Sequence, residues 1–229
     1  MYLFIFPWEL KMAGDFQDDV REDEMRKLFK LYKSDDEGRS GIDAFLQHNG
    51  KIIPFELKTT SNGSVTTVRD FGLDHIEKWK NKHWLIGFFL KGRRYYKYGS
   101  PSMMEPWIMS KKQYIAPDYK LANLVSSKLT LDDMFNIIGE KEIYSYEDAK
   151  SIQKLQYSKK TYLELYDLNS GYSQNRMLEI IKDRAKYLVE RGSTLNNPHI
   201  PFNYFDGWPE ITDTHDVELR TMVEQSFKA

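Results

Sequence analysis

"GIDAFLQHNGKIIPFELKTT", residues 41–60, sets two apolar-rich runs on either side of Asn49-Gly50. Both turn residues tolerate the positive φ of a type I′ turn, so the stretch predicts a β-hairpin with a two-residue loop. His48 then faces Lys51, and the register follows. Ile42 with Leu57, Ala44 with Phe55 and Leu46 with Ile53 make one wholly apolar face, which is core. The other face carries Gln47 opposite Ile52, Phe45 opposite Pro54 and Asp43 opposite Glu56, with Lys58 on the same side as Glu56. Phe45 and Pro54 form a non-hydrogen-bonded pair, so the proline costs the hairpin no ladder bond.

Asp43 and Glu56 also form a non-bonded pair, with Cα atoms about 4.5 Å apart, where like charges destabilise a sheet. A divalent cation would offset that repulsion. Carboxylate oxygens are hard ligands suited to Mg²⁺, which takes one or two protein carboxylates and completes its octahedron with water and phosphate oxygens. Lys58 could balance the remaining charge and orient or deprotonate a water beside the metal. A bulge or longer loop would break this register and return the charges to a solvated edge.

Upstream, Asp18, Glu22, Met25, Phe29 and Tyr32 recur at helical spacing and predict a helix over residues 15–34, with two acids leading an apolar stripe. The apolar start, residues 1–14, is too short to cross a membrane and reads as a terminal strand or packing arm. Downstream, "SNGSVTT" reads as a polar loop, residues 72–81 as a short helix, "HWLIGFFLK" as a buried strand and "RRYYKYGS" as another. Beyond residue 125 the period is helical, with Thr130, Ser145 and Ser173 as helix starts and Gly192 as a stop. "NNPHIPFNYFDGWPE" reads as an irregular segment. The fold expected is α/β: a mixed central sheet flanked by helices over 1–125, then a helical lobe and irregular C-terminal segment over 126–229, packed as one unit.

The 229 residues carry a net charge of only -1, so nucleic-acid binding would rest on local segregation of charge. Lys78 to Lys97 supplies it, with Lys78, Lys80, Lys82, Lys91, Arg93, Arg94 and Lys97 and no acid between them. No cysteine occurs, which removes thiolate metal sites and disulfides and favours a reducing, cytoplasmic setting. The five histidines lack zinc spacing, and no phosphate-binding glycine loop is present, so no nucleotide cofactor is expected.

Asp43 followed on the next strand by Glu56-Leu57-Lys58 resembles the PD-(D/E)xK nuclease superfamily and, within it, type II restriction endonucleases. Ile42 replaces the leading proline of that motif. The order helix, hairpin, helix, strand over residues 15–98 is similar to the superfamily core. The resemblance implies a restriction-endonuclease-like core and Mg²⁺-dependent hydrolysis of double-stranded DNA with one or two ions per site. In it Asp43, Glu56 and the main-chain carbonyl of Leu57 hold the metal, Lys58 positions the attacking water, and Glu22 supplies the helix acid, with Asp18 as its substitute. Ser64, Thr66, Thr67 and Arg69 would contact phosphates near the scissile bond, and Lys78, Lys80, Arg93 and Arg94 would line a positive cleft. A homodimer is expected by analogy with enzymes of twofold sites. Two other readings are a repair or junction-resolving nuclease and a non-catalytic DNA-binding module.

Overall fold

The computed structural model describes residues 7–34 and 41–228, with side chains from Asp18 onward. Two compact units emerge, one of residues 1–112 and 195–229 and the other of residues 113–194, with one boundary inside a long helix. In chain order the first unit contributes α1 (Pro7–Leu28), β1 (Ala44–His48), β2 (Lys51–Thr60), β3 (Val65–Thr66), α2 (Leu73–Trp79), β4 (His83–Leu90) and β5 (Arg93–Gly99). α3 (Pro101–Lys128) carries the boundary. The second unit adds α4 (Leu131–Ile138), α5 (Tyr146–Gln153), α6 (Lys159–Glu164) and α7 (Gln174–Gly192). Back in the first unit follow β6 (His199–Ile200), a 3₁₀ turn (Phe202–Phe205), β7 (Glu210–Ile211) and α8 (His215–Ser226).

The protein is mixed α/β. Its five-stranded sheet runs β1-β2-β4-β5-β7. β1 and β2 are antiparallel in the register read from the sequence, from Ala44 opposite Phe55 to His48 opposite Lys51. Asn49 and Gly50 have φ of 48° and 73°, both positive as a type I′ turn requires. From β2 the chain crosses through α2 to β4, which lies parallel to β2 with Glu56 beside Trp84 and Lys58 beside Ile86. β5 and β7 then add antiparallel. One sheet face packs Leu46, Phe55, Leu57 and Leu85 against Met25 of α1, Phe29 just after it, and Leu219 and Val223 of α8. Trp84 of β4 meets Trp79 of α2 edge-on at 5.0 Å, and Phe88 meets Phe205 at 5.5 Å.

In the second unit, Met134, Tyr144, Ala149, Tyr162, Tyr172 and Met177 share a core. Three of its helices, α4, α5 and α7, start where the sequence places them, while α6, capped by Ser158, was not foreseen. Thr130 with Asp133 and Ser145 with Asp148 close capping boxes, and the Ser173 hydroxyl accepts the Arg176 N–H.

Several expectations shift. The first helix spans 7–28 rather than 15–34, so residues 7–14 are helical and not a strand or arm, while residues 1–6 lie outside the described residues. Pro7 stands at the first helical position, where its missing N–H costs nothing. The helix ends early because Lys30 turns left-handed (φ 51°) and Tyr32 exchanges backbone hydrogen bonds with Phe45, which lengthens the hairpin side of the sheet instead. The loop after β2 contains β3, paired with β6, so the segment read as irregular supplies two strands, β6 and β7. The outermost hairpin pairs, Asp43 with Glu56 and Ile42 with Leu57, fall beyond the ladder, which stops at Ala44.

Candidate functional site

The ladder stops there because a side chain intervenes. In an antiparallel register that bonds 46 to 53 and 44 to 55, the N–H and C=O of Leu57 both point toward β1. Asp43 Oδ2 accepts that N–H at 3.0 Å, where the carbonyl of Ile42 would otherwise sit. The Leu57 carbonyl is left on an open strand edge, and the Lys58 ammonium donates to it at 2.8 Å.

Lys58 Nζ is also 3.0 Å from Glu56 Oε1 and 3.4 Å from Asp43 Oδ2. One ammonium thus gathers three oxygens from Asp43, Glu56 and the Leu57 main chain. The like-charge conflict in the sequence is resolved by lysine on both sides of Glu56. Lys82, just ahead of β4, donates to Glu56 Oε2 at 2.6 Å, with side-chain exposures of 2% for the lysine and 4% for the glutamate. Lys82 was legible only as one basic residue among several. Its partner is fixed by the parallel register of β2 and β4, which an apolar run does not specify.

Protonation follows from these contacts. Burial alone would raise the Asp43 carboxyl, but the Lys58 charge and the Leu57 N–H outweigh it and hold it below the ordinary aspartate value. Burial favours a neutral Lys58, yet Glu56, Asp43 and Glu22 facing it hold its pKa above that of an ordinary lysine. In this arrangement Lys58 is therefore held as an ammonium that donates to the oxygens around it. Glu22 goes the other way: burial pushes it up to about 7, Lys58 works against that, and Asp43 adds to it.

Glu22 and Lys58 open into a cleft of about 460 Å³. Asp18, Arg21, Thr59, Thr60, Ser61, Asn62, Ser64, Thr66, Thr67, Arg69 and Asn197 complete its wall. Four residues expected to contact phosphate, Ser64, Thr66, Thr67 and Arg69, thus share one wall with Lys58 and Glu22. The loop that presents them is braced from within: the Thr60 hydroxyl accepts the Gly63 N–H at 3.0 Å and donates to the Ser64 carbonyl at 2.7 Å. Asp18 accepts the Thr59 hydroxyl at 2.7 Å. Arg21, Asn62 and Asn197 were not foreseen. Asn197 arrives from far along the chain, beside the β3–β6 pair, with its N–H donated to the Val68 carbonyl.

The basic residues from Lys78 to Lys97 are engaged in several different places. Lys78 closes α2, and Lys80 lines a separate groove with Ile76, Glu77 and Glu105. Arg93 pairs with Glu210 at 2.6 Å, Arg94 pairs with Glu24 at 2.5 Å, and Lys97 donates to the Phe205 carbonyl at 2.8 Å.

Among the described residues, no group of three or more His, Asp or Glu side chains is set to hold a metal ion. The donor set at Lys58 consists instead of two carboxylates and a carbonyl. Among the described residues, no helix is long and apolar enough to cross a membrane. No protein-family profile matches this sequence, and no curated protein shows significant similarity to it.

Proposed function

We propose that the protein is a Mg²⁺-dependent nuclease of the PD-(D/E)xK type that hydrolyses phosphodiester bonds of double-stranded DNA, in the manner of a type II restriction enzyme. The carrying observation is the set of three oxygens, from Asp43, Glu56 and the Leu57 carbonyl, gathered around one cationic nitrogen at 2.8–3.4 Å. These are the atoms that the motif assigns to the metal. The order α1, β1, β2, α2, β4 and the parallel β2–β4 pairing support the same reading.

The residues fit the ion: the donors are hard oxygens, and their charge is already matched by a cation at their focus. Bound there, Mg²⁺ supplies a Lewis acid that neutralises phosphate and acidifies water. Asp43, Glu56 and the Leu57 carbonyl would hold it. Lys58, kept protonated by its neighbours, donates to a phosphate oxygen or to the attacking water. Glu22, with a pKa near 7 in the same cleft, accepts the proton released at neutral pH. Ser64, Thr66, Thr67 and Arg69 hold the phosphates on either side by hydroxyl and guanidinium donors. A twofold homodimer would cut both strands of a symmetric site.

Incubation of the protein with plasmid and Mg²⁺, beside Asp43→Ala and Lys58→Ala, tests this. Discrete fragments from wild type alone are expected. Identical behaviour of wild type and variants on linear, supercoiled and branched DNA would sink the catalytic reading, and a preference for branched DNA would redirect it to repair.

A further inference from the structure

One oxygen of each carboxylate in the site has a fixed partner besides Lys58. Asp43 Oδ2 takes the Leu57 N–H at 3.0 Å, and Glu56 Oε2 takes the Lys82 ammonium at 2.6 Å. The two anchors differ in kind, since one is backbone and cannot be removed by mutation, and the other is a single buried side chain. On Glu56 the two oxygens have separate partners, Lys82 on Oε2 and Lys58 on Oε1. Only the second of these partners lines the cleft. Lys58 stands between the cleft and Oε1, so a cation from the cleft reaches Oε1 only by displacing the Lys58 ammonium, while Oε2 stays held by Lys82.

We propose that Lys82 is a positioning residue that fixes Glu56 as a one-oxygen ligand, so that Glu56 binds a cation through Oε1 alone, beside Asp43 and the Leu57 carbonyl, and leaves the remaining coordination positions to water and substrate. This inference rests on the cation-binding reading of Asp43 and Glu56. Carboxylates bind hard cations through one or both oxygens, and a second bound oxygen displaces a water that a hydrolytic site needs. Lys82 also places a positive charge behind the ligand, which weakens cation binding by repulsion. Positioning and moderate affinity thus come from one side chain. Lys82 touches neither cleft nor substrate, and its effect is transmitted through Glu56.

Tb³⁺ alone serves as the probe, because it seeks oxygen ligands and its emission is excited through a nearby indole; Trp84 stands beside Glu56 in the strand register. Emission decay in H₂O and D₂O counts the waters bound to the ion. Wild type should bind Tb³⁺ with emission that Glu56→Gln abolishes. Lys82→Met should bind about tenfold tighter, with about one fewer bound water, because Oε2 becomes available. Lys82→Arg should return the wild-type water count. A merely structural lysine would lower stability without changing that count. An unchanged count and affinity in Lys82→Met, with wild-type binding intact, overturns the role of Lys82 alone. Wild-type emission no stronger than that of Glu56→Gln overturns the cation site and this inference with it.

Because Lys82→Met breaks a buried ion pair and can unfold the chain, a second measurement uses wild type only. The side-chain ¹⁵N signals of Lys58 and Lys82 are followed as diamagnetic Mg²⁺ is added. Lys58 should shift or broaden while Lys82 stays fixed, and a Lys82 signal that moves with Lys58 would overturn the proposal.

Discussion

Asp43 accepts the main-chain N–H of Leu57 at 3.0 Å, so a carboxylate takes the place of a strand neighbour at the point where the β1–β2 ladder ends. This one bond joins fold to chemistry. Asp43→Asn can keep it through the amide oxygen while losing the charge, whereas Asp43→Ala loses both. Cleavage should vanish in both variants. Only Asp43→Ala should lose about 1–2 kcal/mol of stability, for an unpaired backbone donor. Chemical denaturation measures the difference, and hydrogen exchange at the Leu57 amide should speed up in the alanine variant alone.

Glu22 predicts a pH dependence of stability. Its carboxyl is raised from 4.5 to about 7 by burial, so between these values the folded protein holds a proton that the unfolded chain has released. Stability should fall as pH rises from 4.5 to about 7, then level off. Glu22→Gln removes the ionisation and should be more stable than wild type by about 1–3 kcal/mol above pH 7, with the gap closing toward pH 4.5. Urea melts across that range would refute the burial effect if the two proteins ran parallel.

Arg69 and Arg93 should behave differently toward DNA. Arg69 lines the cleft, while Arg93 is bound to Glu210 at 2.6 Å and lies over the Tyr95 ring at 4.3 Å. Arg69→Ala should weaken binding and lower the slope of log affinity against log salt by about 1. Arg93→Ala should leave the slope unchanged. Anisotropy titrations at several salt concentrations read both.

Gly63 sits at φ +97°, and a Cβ added there would stand 3.1 Å from the Phe202 ring. Gly63→Ala should therefore cost about 1–3 kcal/mol through backbone strain, and more if the ring cannot move. Because the Thr60 hydroxyl holds the Gly63 N–H, DNA affinity should fall along with the melting temperature.

The hairpin was legible because Asn-Gly fixes its turn and an alternating pattern fixes its register, and the capped helices were legible because their caps are local. Glu22 could be singled out because it shares a helical stripe with Met25 and Phe29, both fully buried. The end of α1 was not, since Tyr32 keeps the helical spacing while its backbone pairs with Phe45. Lys82 and Asn197 were hidden for a different reason. Each reaches the site through a pairing between distant strands, β2 with β4 and β3 with β6, and no local pattern encodes those partners.

Much of the first unit depends on the stretch after Leu195. It supplies Asn197 to the cleft, β6 beside β3, β7 to the sheet edge and α8 to the core. Asp43, Glu56 and Lys58 stand in the chain beside most of the cleft wall, Thr59 to Arg69, whereas Asn197 and the elements that brace that wall follow well over a hundred residues later. A chain cut before Leu195 would keep the cleft residues from Asp18 to Arg69 but lose β6, which pairs with β3 beside them, and α8, which packs on the sheet.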